Sequence, residues 1–564
     1  MNLKKELKKI IKGEVDISKN TLEEYSTDAS IFKVKPEVVI FPKDKDDLRK
    51  IINFVIDKKH KNKNISLTMR SGGTDMTGGP LNNSIIVDVN KYLNKVKKVE
   101  GSKDDSDLKA NKFVKGYSVV EPGTYYRNFE AETLRENLLM PSYPASREIC
   151  TVGGMVSNNS GGEKSLKYGK TEDYVAELKV ILSDGNEYTF QPLREKQLED
   201  KKAQNDFEGG IYRKVYKLLD DNYEIIKKAK PQVSKNSAGY GLWNIWDKDK
   251  GIFDMTQLFV GSQGTLGVIS EIKYRLVEPE PYSKMLVMFL KNTDELAGVI
   301  NEALKFKPES LESYDDKTLK LVFRYIFSFI KMMGFKNIFK LAWNFLPELG
   351  LVLKGGFPKL IILAEFTGKN EEEIEKVVKR ADKAIKEFKS VSTHLVRNDL
   401  EAKKYWTIRR EAFNLLRHHL KGEKSEPFID DLIVRPELLP EFLPKLYQIL
   451  DSYKKEMTYA IGGHSGDGNM HIYSIMDPTD VSILKVIEEV SKKVYDLVIE
   501  MGGSITAEHN DGLIRSPFLK QMYGEEIYKL FEDTKKIFDP ENIFNPGKKV
   551  NSSFNYALGH FKDN

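Results

Sequence analysis

The sequence predicts an α+β protein of two domains, on three observations. Short apolar runs and helical spacings are mixed from about residue 35 to about residue 280, the texture of one α+β unit. From Tyr282 the pattern lengthens into amphipathic helices, as in 371–388 and 403–420. Three glycine-rich segments all fall within the first stretch, where they mark loops between elements. At 564 residues and 40% apolar content the chain can bury more than one core. The expected boundaries are 1–280, 281–500 and a terminal segment 501–564.

Taken in order, residues 36–40 form an apolar run closed by Pro42, which reads as a strand. Residues 48–55 have helical spacing, 65–69 alternate like a strand, and 85–89 read as a buried strand. Between the last two lies Arg70-Ser71-Gly72-Gly73-Thr74-Asp75-Met76-Thr77-Gly78-Gly79. Such a loop exposes successive backbone N–H groups and curls around a phosphate, with Arg70 adding charge. The second glycine segment is 150–162, with Gly153-Gly154, Asn158 and Gly161-Gly162; the third is 261–269, with Gly264, Val268 and Ile269. Each alone also reads as a tight turn. None matches G-x-G-x-x-G or the P-loop, so three together point to a dinucleotide held by a non-Rossmann fold.

Composition removes several classes. Lys+Arg 89 against Asp+Glu 84 leaves +5, dispersed along the chain, which argues against nucleic-acid binding. The single cysteine, Cys150, rules out a disulfide framework and an iron–sulfur cluster within these residues. Residues 1–13 are lysine-rich and lack an apolar h-region, so a signal peptide is not expected and a cytoplasmic location is.

Histidine is scarce, with eight residues. Two of them sit in Gly463-His464-Ser465-Gly466-Asp467-Gly468-Asn469-Met470-His471, and a third in Glu508-His509. Neutral imidazoles with one carboxylate make a set suited to zinc or another first-row divalent metal with an open position. An open position implies metal-assisted chemistry on a substrate. Taken alone, the spacing also reads as two unrelated loop histidines.

The first loop, the Val152-Gly153-Gly154…Gly161-Gly162…Lys167-Tyr168-Gly169 block and Val260-Gly261-Ser262-Gln263-Gly264-Thr265-Leu266-Gly267 resemble the vanillyl-alcohol-oxidase superfamily of FAD enzymes. The likeness continues in order through Trp406-Thr407-Ile408-Arg409, the two-histidine loop, Glu508-His509 and residues 538–548. It is most similar to the D-2-hydroxyacid dehydrogenase branch, which includes D-lactate, D-2-hydroxyglutarate and glycolate dehydrogenase subunits.

The resemblance implies a PCMH-type FAD-binding domain of two subdomains, and an α+β cap domain with an antiparallel sheet. It implies FAD cradled by Arg70, Ser71, Gly72, Gly73, Thr74, Gly78, Gly153, Gly154, Asn158, Gly161, Gly162, Gly264, Val268 and Ile269. Thr74 stands where several relatives carry a flavin-tethering histidine, so the FAD is expected to be non-covalent. Cys150 lies near the site of a cysteinyl link in some relatives and is expected to be a buried thiol. The metal ligands carried over are His464, His471 and Glu508, with zinc expected and manganese or iron as alternatives. His509 matches the base that takes the substrate hydroxyl proton. Arg409 matches the arginine that pairs with the substrate carboxylate, for which a guanidinium fork is well shaped. Arg410 beside it offers a second register.

The implied activity is oxidation of a D-2-hydroxy acid to the 2-oxo acid by hydride transfer to flavin N5. Electrons would pass to a quinone, an electron-transferring flavoprotein or a separate iron–sulfur subunit. Tyr473 stands where 2-hydroxyglutarate enzymes often carry asparagine, which leaves lactate-like and aromatic acids open. Two other readings belong to the same fold: an ether-lipid-synthase-like FAD transferase, and an electron-transfer flavoprotein subunit without catalysis. A bound divalent metal, and bleaching of the flavin by a hydroxy acid, discriminate against them. Residues 319–346 are basic and aromatic and contain no acids. They are expected to form two short amphipathic helices on the inner face of an anionic membrane; a buried pair or a homodimer interface is the alternative.

Overall fold

The computed structural model describes residues 3–101, 107–324, 357–419 and 424–562. The proposed membrane segment lies outside the described residues from 325 onward; Leu319, just before, is buried in a core. Among the described residues no helix is long and apolar enough to cross a membrane.

The expected α+β class holds, in three larger sheets and a small one of Trp246–Asp247, Ile252–Phe253 and Leu193–Arg194. The first orders its strands Glu14–Asp16, Val38–Phe41, Ile85–Asp88 and Leu67–Arg70, the last three mutually parallel. Parallel neighbours need a crossover, and helix Lys45–Lys59 supplies one, capped by Asp44, which accepts from the Asp47 N–H at 3.1 Å. The chain returns here near its end, where Ile543 and Phe544 join the core of this sheet and Asn545 N donates to Leu67 O at 2.9 Å. The second sheet is antiparallel, with Val268–Val277 between Val114–Val120 and Val175–Ile181.

The third sheet begins at Tyr282–Leu290, five residues past the end of Val268–Val277. It is antiparallel throughout. The helical texture read from Tyr282 onward omitted its long strands, Leu360–Gly368, Met457–His464 and Asn469–Met476. Side chains alternate faces along a strand, and the cores show it. Leu286, Met288, Leu311, Ile461, Met470 and Ile472 pack under the helices of one face. Met285, Val287, Phe289 and Tyr314 pack on the other, with Trp406 of helix Asp399–His419. By the same alternation Glu312, His464, His471 and Tyr473 share that second face.

The two-histidine segment is a hairpin rather than a free loop, with His464 paired to Asn469 and Gly462 to His471. Its turn needs a glycine: Gly468 has φ +75°, and a Cβ there would lie 1.9 Å from Val434 O. Gly468→Ala is expected to lose at least about 1–2 kcal/mol, the cost of left-handed backbone alone. An unchanged melting temperature would contradict this.

Candidate functional site

One cavity of about 540 Å³ runs from the first glycine loop to the three histidines. At the loop end it is lined by Arg70, Ser71, Gly72, Gly73, Thr74, Gly153, Gly154, Asn158, Gly161, Gly162, Gly264 and Ile269. Two residues assigned to this cradle do not line it. Gly78 turns at φ +80° against Phe32 and Leu513, and the Val268 side chain belongs to the core of the first sheet. Strand alternation explains the second case, since Val268 and Ile269 face opposite ways.

The loops are held to one another. Ser71 Oγ contacts Thr151 Oγ1, and Asn158 Nδ2 donates to Asp75 Oδ1 at 2.7 Å. Gln263, at φ +52°, accepts from Gly512 N at 2.9 Å. Arg70 donates through Nη2 to Thr27 O at 2.9 Å, while Nη1 is buried and makes no hydrogen bond among the described residues. A buried, unsatisfied guanidinium N–H is costly, and a phosphate oxygen would satisfy it. Exposed loop backbone, a free arginine donor and glycines where side chains would collide fit a dinucleotide pyrophosphate. Cys150 lines the cavity as a buried thiol, and burial pushes its pKa up to about 12.

At the far end, Arg409, His464, His471, Glu508 and His509 come together, with partners that the sequence reading missed. His464 Nδ1 lies 2.5 Å from Glu312 Oε1, and His471 Nδ1 3.0 Å from Asp430 Oδ1. His509 Nδ1 lies 3.1 Å from Asp430 Oδ2, as an ion-pair contact rather than a straight hydrogen bond. An ionised carboxylate only accepts, so in their neutral form His464 and His471 carry the proton on Nδ1, leaving Nε2 as the lone-pair nitrogen. Carboxylates behind histidines in this way fix tautomer and orientation for metal binding. The His471 ring stacks on His509 at 5.1 Å and meets His464 edge-on at 5.2 Å. His464 Nε2 is 3.5 Å from Glu508 Oε2.

Asp431, His471, Glu508 and His509 each place one possible ligand atom within 4.8 Å of the others. Asp431 is already engaged. Its Oδ2 accepts from Thr506 Oγ1 at 2.7 Å, Glu508 N at 2.8 Å and His509 N at 2.7 Å. Its Oδ1 accepts from Asn469 Nδ2 at 3.0 Å. Asp431 therefore holds the Glu508-His509 backbone in place. Lys235 donates to Glu508 Oε1 at 2.6 Å and lies 2.9 Å from Asp467 Oδ2, which leaves Glu508 Oε2 turned toward His464. Gly161 gives Glu508 its room, since a Cβ there would lie 2.8 Å from Oε1.

Burial opposes the charge of Glu508, but Lys235 and His464 outweigh it and hold its pKa well below the ordinary range. Burial likewise works against Asp430, and His509 and His471 carry it far below. For His464, burial is outweighed chiefly by Glu312, which raises it to about 9; for His509, Asp431 and Asp430 do the same. His471 is lowered, because burial exceeds the pull of Asp430. Of the expected ligands, His471 and Glu508 belong to the converging group, while His464 stands beside it with Nε2 3.5 Å from Glu508 Oε2; imidazoles and carboxylates so placed fit a divalent cation.

Both arginines line the cavity, with different partners. Arg409 donates through Nε to Glu312 Oε2 at 3.1 Å and through Nη1 to Tyr473 Oη at 3.2 Å. Arg410 instead pairs with Glu163, at 2.6 and 2.7 Å from Nη2. A charged pair inside an apolar run, as in Phe428-Ile429-Asp430-Asp431-Leu432, is the sequence signal that marks buried, partnered acids.

A family model described as FAD binding domain matches residues 36–191, and one for the C-terminal domain of FAD linked oxidases matches 280–549. The chain is 27% identical over 543 residues to the D-2-hydroxyglutarate dehydrogenase of Pseudomonas putida KT2440, covering 95% of this chain and 50% of that protein. It is 26% identical over 529 residues to glycolate oxidase subunit GlcD of Bacillus subtilis 168, covering 93% and 91%. It spans about half the length of the 2-hydroxyglutarate dehydrogenases of Pseudomonas putida, Escherichia coli, Haemophilus influenzae and Pantoea ananatis. In fold it is similar to p-cresol methylhydroxylase with substrate bound, at TM-score 0.64 and 13% identity, covering 95% of this chain and 94% of that one. Glycine loops around one end of a large cavity, a PCMH-like domain and a large antiparallel sheet beside it thus agree with both family models: the chain belongs to the FAD-linked oxidase family.

Proposed function

We propose that this protein oxidises a D-2-hydroxy acid to the corresponding 2-oxo acid. The observation that carries the reading is the continuity of one cavity, lined by glycine loops at one end and by Arg409, His464, His471, Glu508 and His509 at the other. The names of relatives at about a quarter identity, D-2-hydroxyglutarate dehydrogenase, D-lactate dehydrogenase and glycolate oxidase subunit, support the substrate class.

FAD, held non-covalently by the glycine loops, supplies when bound the acceptor for the hydride on C2. A divalent metal, zinc first and manganese or iron as alternatives, would be held by His464, His471 and Glu508 and supplies Lewis acidity at the substrate hydroxyl. Arg409, its Nε and Nη1 already held, turns the rest of its guanidinium to the carboxylate. His509 takes the hydroxyl proton, so that C2 and its oxygen become a carbonyl. Aromatic walls at Tyr143, Trp406 and Tyr473 favour an apolar substituent on C2. The single cysteine sends the electrons to a quinone, an electron-transferring flavoprotein or an iron–sulfur centre outside these residues.

Steady-state turnover with a dye acceptor and a panel of D- and L-2-hydroxy acids tests this. One or more D-acids are expected to reduce the dye, with activity lost to a chelator and restored by metal. Preference for L-acids, or indifference to chelation, contradicts the reading.

A further inference from the structure

Glu312 is a single carboxylate whose two oxygens serve two different groups. Oε1 lies 2.5 Å from His464 Nδ1, and Oε2 accepts from Arg409 Nε at 3.1 Å. Its side chain is 2% exposed. The three residues come from separate elements: strand Ser310–Asp315, strand Met457–His464 and helix Asp399–His419. Strand register fixes Glu312 against the hairpin, because its neighbours Ser313 and Tyr314 pair with Gly463 and Gly462. Arg409 is long and rotamer-rich, and a guanidinium held at Nε loses most of its freedom.

We propose that Glu312 is a positioning residue that locks the substrate-carboxylate anchor Arg409 and the metal ligand His464 into one unit. It thereby sets the distance between the point that grips the carboxylate and the point that grips the hydroxyl. A 2-hydroxy acid carries these two groups on adjacent atoms, so their receptors must hold a separation good to about 0.5 Å. Tyr473, which accepts from Arg409 Nη1 at 3.2 Å, braces the same arginine from the other side. The inference rests on the roles given above to Arg409 and His464. A residue that merely neutralised two buried cations would affect folding and FAD retention, with no paired effect on the two ligand affinities.

The test uses the FAD-loaded, full-length protein and Glu312→Gln, which keeps the shape but has one acceptor for two donors. Metal affinity is read by competition with a chelator. Carboxylate anchoring is read, at saturating metal, from the shift in flavin absorbance on titrating 2-hydroxyisobutyrate. That probe has the hydroxyl and the carboxylate but no C2 hydrogen to lose. Glu312→Gln is expected to weaken metal binding about tenfold, the size of effect for a carboxylate behind a ligating histidine. It is expected to weaken probe binding comparably, with FAD content unchanged. Loss of one affinity alone, or of neither, overturns the proposal. Should Glu312→Gln fail to fold, Glu312→Asp keeps the buried charge but falls short of both partners. It is expected to lose affinity on both counts, and full retention of either overturns the coupling. If the wild-type protein takes up no divalent metal, the reading of the site itself has failed, and the coupling falls for that separate reason.

Discussion

Replacing His509 with alanine slows anaerobic flavin reduction by about 10²–10⁴-fold, the range for loss of a positioned general base. Flavin content and metal content are expected to stay at wild-type levels. His509 reaches the cavity from a backbone pinned by Asp431, which accepts the N–H groups of both Glu508 and His509. Its ring is set by Asp430 at 3.1 Å and by stacking on His471 at 5.1 Å. The backbone support does not depend on the His509 side chain, so truncation removes the proposed base and leaves His464 and Glu508 held by Glu312 and Lys235. Rapid-mixing absorbance measures the rate directly. A rate within a few-fold of wild type would assign the proton to another group.

Asp430→Asn is the second large effect, because one carboxylate serves two histidines. An asparagine has one acceptor oxygen and turns an N–H₂ toward the other imidazole, which must then present a lone pair at Nδ1. The proton moves to Nε2, and that nitrogen can neither bind a metal nor take a proton. If His471 flips, metal affinity is expected to fall about 10–100-fold; if His509 flips, the rate falls by about 10²-fold or more at saturating metal. Excess metal therefore restores activity in part at most. Wild-type metal retention together with a wild-type rate would show that Asp430 does not set the tautomers.

The parts of the site legible in the sequence are those whose chemistry is local. The loop at 70–79 announces itself because only glycine suits its turns, as at Gly73 with φ +68°. The hairpin histidines stand out because histidine is rare here and Gly468 must turn sharply between them. Glu312, Asp430 and Lys235 were not legible, since each is an ordinary charged residue until distant strands meet it. Glu312 finds His464 from 152 positions away and Lys235 finds Glu508 from 273, a pairing that only sheet register and domain packing create. The long cap strands were missed for a related reason. Runs such as Leu-Ile-Ile-Leu-Ala in Leu360–Gly368 are buried on both faces, so they lack the alternation that marks a half-exposed strand. The Val268 side chain faces the core of the first sheet while Ile269 faces the cavity, a step of strand alternation that motif likeness alone does not resolve.

The most direct test of the account is a single anaerobic turnover. The FAD- and metal-loaded protein is mixed with the D and L forms of its best acid, each with hydrogen or deuterium at C2, and the flavin band is followed. The D form is expected to bleach the flavin, deuterium at C2 to slow the bleaching, and the L form to leave it oxidised. A fully loaded protein whose flavin no 2-hydroxy acid reduces would contradict it.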